Sequence, residues 1–226
     1  MEIHFSLEDF EYFEGNKARD KEYDGNRLAV KRKLQTIGKK ILQDIEQPLQ
    51  LQTSLHHPYI YNNYRVNSMW LYFCPSKQEL KPLSQILGSV LAQDLKKHYQ
   101  HTILFTQIDY EGITTGLKIH PQAWWDGQHV QQQAKENAPE FLQILKKLKD
   151  FTWQLHDWPN KQLCHTLTLD HIKRYFKFYN PGEHWFTVQH YTAKTELEIL
   201  QPGFIHTLQS QYKQLIPLYN FVRKKF

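Results

Sequence analysis

The chain is poor in the residues that mark most enzymatic chemistries. It has two cysteines, Cys74 and Cys164, far apart in sequence and outside any Cys-x-x-Cys spacing. Isolated cysteines of this kind read as reduced, buried thiols in a cytoplasmic protein, and no spacing asks for a bridge. The nine glycines are thinly spread. Neither GxGxxG nor GxxxxGK[ST] occurs, so no glycine-rich loop is available to cradle phosphates. There is no GxSxG elbow, and neither cysteine sits beside a recognisable histidine partner. No apolar run reaches the ~20 residues that span a bilayer. The acidic opening MEIHFSLEDFEYFE lacks the basic-then-apolar order of a signal peptide, so a cytoplasmic location without membrane partners is expected.

The 13 histidines invite a metal reading, but the spacings argue against one. HExxH and Cys–His finger patterns are missing. His56 and His57 are adjacent and would point to opposite sides of an extended segment. His184 and His190 share a face of an expected strand, six residues and roughly 20 Å apart. No metal and no cofactor is therefore expected.

What the chain does contain is aromatic area and clustered charge. Its 226 residues include 13 Phe, 13 Tyr and 6 Trp, enough large rings to build a core despite a mean hydropathy of -0.67. Residues 1–25 carry eight acids against three bases, whereas residues 26–40 carry Arg27, Lys31, Arg32, Lys33, Lys39 and Lys40 with no acid. Such a stripe attracts phosphates. The competing reading is a solvated helix face neutralised by the acidic segment next to it.

Periodicity then assigns the elements. Ser6 and Asp9 have a capping-box order ahead of a short helix from Leu7 to about Glu14. Val30, Leu34, Ile37, Ile41 and Ile45 recur at helical spacing, predicting a helix from Arg27 to about Glu46. In the stretch from Tyr64, Met69, Leu71 and Phe73 alternate with Trp70 and Tyr72, as in a strand covered on both faces. A helix is predicted from Pro82 to about Tyr99, on a stripe that includes Leu83, Ile86 and Leu87. HTILFTQI and GITTGLKIH read as a hairpin whose second strand is half exposed. AWWDGQHVQQQAKEN leads through a turn into a polar helix, and Pro139 opens another. FTWQLHD, QLCHTLT and HWFTVQHY read as strands, with LDHIKRYFKFY a helix between the last two. A long C-terminal helix follows, which Pro217 is expected to kink or split. The sum is one α+β domain over residues 1–226, with a mainly antiparallel sheet flanked by helices.

Three groups of residues carry functional readings. The first is a ligand surface: Arg27, Lys31, Arg32, Lys39 and Lys40, with His56, His57, Tyr59, Tyr61, Asn62 and Arg65 from HHPYIYNNYR. Cations interleaved with rings and amides suit nucleic acid or another polyanion. The second is catalytic. His165-Thr166-Leu167-Thr168 has the HxTx form by which two-histidine phosphoesterases hold phosphate, and a hydrolase would need a second histidine beside it, with His190 a candidate. The third is Trp124, Trp125 and Asp126 at a strand-to-helix connection, where exposed rings and a carboxylate meet a ligand or a protein partner. At least one of the two tryptophans is expected in the core.

The segments LEDFEYFEGNKARDKEYDGNRLAVKRKL and HWFTVQHYTAKTELEILQPGFIHTLQSQYKQLIPLYNFV together resemble uncharacterised bacterial proteins of the YktB-like α+β type. The likeness lies in an aromatic opening helix, a polar turn and a long helix at one end. At the other it lies in a strand, an acidic connector and a helix with a Leu-Ile-Pro-Leu-Tyr break. Relatives commonly carry a more charged segment where this chain has His56 to Met69. The resemblance implies an α+β fold and brings no activity or site residues with it.

Overall fold

A computed structural model describes residues 4–45, 51–54, 65–76, 78–91, 98–155, 160–196 and 203–224. His56, His57, Tyr59, Tyr61 and Asn62 lie outside the described residues. The fold is α+β. Seven strands form one antiparallel sheet, β1 (Leu51–Ser54), β2 (Ser68–Pro75), β3 (Thr102–Asp109), β4 (Gly112–Ile119), β5 (Thr152–Leu155), β6 (Gln162–Leu163) and β7 (Phe186–Ala193), in the order β1-β2-β3-β4-β7-β5-β6. The helices are α1 (Leu7–Glu11), α2 (Asp24–Asp44), α3 (Lys81–Leu91), α4 (Trp124–Glu136), α5 (Ala138–Lys146), α6 (Leu169–Phe178) and α7 (Phe204–Val222).

Strand alternation sorts the side chains onto two faces. Leu71, Phe73, Leu104, Ile108, Ile113, Leu117, Phe186 and Val188 enter the main core, where α2 covers β1 and β2 and α7 crosses β3 and β4. Thr106 Oγ1 and Tyr212 OH, 2.6 Å apart, tie the sheet to α7 within that core. Trp70, Tyr72, Cys74, Ile103 and Phe105 form a second buried cluster on the opposite face. The apolar stripe read from α2 is buried as expected, from Val30 to Ile41.

Several boundaries differ from those read in the sequence, each for a local reason. α1 stops at Glu11 because the chain turns there, Phe13 N–H donating to Phe10 O. α3 is described over Lys81–Leu91, the part of the expected helix at 92–97 lies outside the described residues, and His98–Gln100 form a 3-10 turn. Within α3, Ile86 is 72% exposed, so its apolar stripe is only partly covered. QLCHTLT is not a strand: only Gln162–Leu163 pair with β5, and Cys164–Thr166 form a 3-10 turn. The chain must turn there because Thr168 caps α6, its side chain accepting from His171 N–H. His184 precedes β7 and its Nδ1 accepts from Asn180 N–H, so it does not share a strand with His190.

β4 is covered rather than half exposed: Thr114, Gly116 and His120 are buried, and only Lys118 on that face stays half-buried. α7 continues through Pro217. Pro217 and Lys213, the residue whose carbonyl loses its helical donor, are both exposed, the side of the helix on which a lost ladder bond costs least. Cys74 and Cys164 are buried thiols outside any disulfide, as expected, and burial pushes the Cys164 thiol up to about 12.

Candidate functional site

The cationic stripe of α2 divides into two groups. Arg27 is 3% exposed and turned inward. Its Nη1 donates to Lys17 O at 2.5 Å and Tyr12 O at 3.4 Å, and its Nη2 to Asp20 O at 2.6 Å and the Asp24 carboxylate at 2.7 Å. A guanidinium so committed has no role as a ligand contact; it folds the 12–24 loop onto the helix. Lys33 is likewise bound, its Nζ 2.6 Å from the buried carboxylate of Asp9. Asp9 also accepts from Ser6 N–H at 2.7 Å, the capping interaction read from the sequence.

The remaining cations are different. Arg32, Lys39 and Lys40 are exposed and Lys31 is half-buried, and none of the four takes part in an ion pair among the described residues. Arg32 and Lys40 are separated by about 12 Å along the axis at 1.5 Å per residue. Arg65 is half-buried, and its Nε has no partner among the described residues. The next residue, Val66, donates its N–H to Ala18 O at 2.8 Å, so Arg65 enters beside the loop that Arg27 holds.

Asp126 is also structural. It is 5% exposed, and its Oδ2 accepts from both the N–H and the hydroxyl of Thr102 at 2.7 Å. Its Oδ1 accepts from Lys224 N–H at 2.9 Å. Both oxygens are thus spent on joining the start of β3 to the end of the chain. Neither neighbouring tryptophan is core. Trp124 is 43% exposed and Trp125 half-buried, with their rings edge-to-face at 4.9 Å. Strict alternation at the start of an amphipathic helix does not reveal this, because α4 buries Gly127 and Val130 instead.

The histidines read as catalytic candidates separate. His165, exposed on its 3-10 turn, has Nδ1 2.6 Å from Lys149 O, and His190 has Nδ1 2.8 Å from Asp150 O. A carbonyl only accepts, so each Nδ1 carries the proton and each Nε2 presents a lone pair when the ring is neutral. His190 projects from β7 towards α7 and lines a cleft of about 430 Å³ with Asp150, Phe151, His206, Thr207, Ser210 and Gln211. His165 is not part of it.

The cleft was not anticipated from the sequence. Thr207, Ser210, Gln211 and Gln214 fall at i, i+3, i+4 and i+7, a polar stripe beside the apolar stripe of α7, and that spacing is the signal that marks it. Gln211 is 8% exposed, and its Oε1 accepts no hydrogen bond among the described residues. A buried amide oxygen left without a donor is costly, which favours a ligand or water in the cleft. His206 Nδ1 lies 3.1 Å from Gln209 Oε1, leaving its Nε2 without a partner among the described residues. Gln209 also bonds Asp44, which fastens the last turn of α2 to the first turns of α7.

No group of three or more metal-ligating side chains occurs among the described residues. No described helix is long and apolar enough to cross a membrane. Neither a protein-family model nor a curated protein matches the chain.

Proposed function

We propose that the protein is a binding domain that docks nucleic acid or another polyanion on the outer face of α2. The observation that carries this reading is the contrast along one helix. Arg27 and Lys33 are paired by Asp24 and Asp9, while Lys31, Arg32, Lys39 and Lys40 take part in no ion pair among the described residues. Unpaired cations on a rigid helix cost no rearrangement to engage phosphates, and they release the phosphates' counterions on binding. The half-buried guanidinium of Arg65 adds a donor from the neighbouring segment.

The double charge reversal Lys39→Glu with Lys40→Glu is expected to weaken binding of a fluorescent oligonucleotide at least tenfold at 50 mM salt, measured by anisotropy. No binding by the unaltered protein at that salt, or equal binding by the variant, refutes the proposal.

A second reading, a hydrolase, is favoured by the cleft. His190 and His206 line one cleft with Asp150 and Ser210, residue types that serve general acid–base chemistry. On this reading His190→Ala and His206→Ala each reduce turnover of an activated phosphodiester at least a hundredfold, while His165→Ala leaves it unchanged. Absence of turnover by the unaltered protein, or loss with His165→Ala alone, removes the reading.

A further inference from the structure

The sheet face opposite the main helical layer holds an amine in an unusual setting. Lys118 projects from β4 into the second aromatic cluster. Its Nζ lies 5.0 Å from the centroid of Trp70, 5.1 Å from that of Phe105 and 4.9 Å from that of Trp185. No carboxylate pairs with it and no oxygen accepts from it among the described residues. The rings attract the cation through their faces, but they accept no conventional hydrogen bond, so three N–H donors are poorly served. His120, two residues on and on the same face, is 7% exposed and packs edge-to-face on Trp185 at 4.4 Å. It contributes no carboxylate or other anion to the site. Tyr99 lies against His120, at 5.5 Å between rings.

We infer that Lys118 is a covalent binding site for a flat, apolar aldehyde or ketone, held between the rings of Trp70, Phe105 and Trp185 and joined to the amine as an imine. The geometry supplies what such a bond needs. Lys118 as a residue is half-buried, so its side chain is not sealed from solvent, and aromatic rings on three sides of the amine favour an unsaturated or aromatic carbonyl compound. Burial strips water from the ammonium and no carboxylate pairs with it among the described residues, which favours the free amine, although the ring faces offset part of that loss.

The electrostatics agree: burial lowers the Lys118 amine to about 8, and burial together with the Lys118 charge lowers His120 to about 4. His120 is therefore neutral at physiological pH and adds no charge beside Lys118, whose shift comes from burial. Its Nδ1 accepts from Gln122 N–H at 2.9 Å, which places the ring proton on Nε2.

The chemistry balances without an oxidant or a metal. The nitrogen lone pair of the free amine forms a C–N bond to the carbonyl carbon, and the C=O π pair moves onto oxygen. A proton passes from nitrogen to that oxygen to give a carbinolamine. Protonation of its hydroxyl lets water leave as the nitrogen lone pair forms the C=N bond, and one proton is returned to solvent. One carbonyl compound and one amine give one imine and one water.

The test is reductive trapping of the full chain with benzaldehyde and cyanoborohydride at pH 7.4, with modified lysines located by peptide mass spectrometry. At that pH an amine titrating near 8 has roughly 200-fold more free base than an ordinary lysine. Lys118 is therefore expected to label at least tenfold faster than exposed lysines such as Lys39 and Lys40, after allowance for its lower basicity. Trp185→Leu removes one wall, hydrates the ammonium and should bring Lys118 back towards the rate of the exposed lysines. Labelling of Lys118 at or below the rate of the exposed lysines overturns the inference, as does an unchanged rate in a folded Trp185→Leu variant.

Discussion

Asp126→Ala is expected to lower the free energy of unfolding by about 3 kcal/mol, among the largest losses available to a single polar substitution here. The carboxylate is buried between α4, the start of β3 and the end of the chain. Its removal strands the N–H and hydroxyl of Thr102, both of which are inside the protein, and the N–H of Lys224, which is nearer water. Each stranded internal donor costs about 1–3 kcal/mol, and the exposed one less. Asp126→Asn keeps the shape and one acceptor, but turns an amide group towards donors, so it should recover only part of the loss. Urea unfolding distinguishes the variants through the midpoint, with the slope unchanged if the folded state keeps its compactness. A loss below about 1 kcal/mol in Asp126→Ala would restore Asp126 to the set of exposed ligand contacts suggested by its sequence position beside two tryptophans.

Arg27→Met is expected to cost about 3 kcal/mol for a complementary reason. Here a buried cation is removed and its acceptors are left behind: the carbonyls of Tyr12, Lys17 and Asp20, with the mostly exposed carboxylate of Asp24. The carboxylate rehydrates at little cost, whereas the inner carbonyls lose a charged donor that held the 12–24 loop against α2. Lysine is not an adequate replacement, since one ammonium cannot span four acceptors that the planar guanidinium reaches from two nitrogens. Arg27→Lys should therefore lie closer to Arg27→Met than to the unaltered protein. If instead Arg27→Met unfolded at the same urea concentration as the unaltered protein but lost polyanion binding, Arg27 would be a ligand contact and the burial account would be wrong.

These two residues show where sequence reading succeeds and where it stops. Helical spacing finds Val30, Leu34, Ile37 and Ile41 because burial repeats with the helix period, and the same period places Arg32, Lys39 and Lys40 outside. It also sets Arg27, three residues before Val30, on the buried side and Arg32 off it. What it does not show is how the buried cation is satisfied, which depends on carbonyls from residues 12–20 that only the folded loop aligns. Alternation likewise separates Leu71 and Phe73 from Trp70 and Tyr72, but does not say that Trp70 meets the amine of Lys118 from β4, which also lies over Trp185 from before β7. HxTx at His165 is a local match on a segment that turns instead of extending. The cleft histidines, His190 and His206, come from a strand and a helix with no shared motif. Charges and cores leave periodic traces; sites assembled across elements do not.

The most direct test of the account is the salt dependence of oligonucleotide binding by the unaltered protein and by Lys39→Ala with Lys40→Ala. Four phosphate contacts from Lys31, Arg32, Lys39 and Lys40 predict that log K falls against log salt with a slope of about -3 to -4 for a duplex. Loss of two contacts should reduce the magnitude of that slope by about 2. A slope near zero for the unaltered protein, or the same slope in both proteins, would contradict a binding face built from the outer cations of α2.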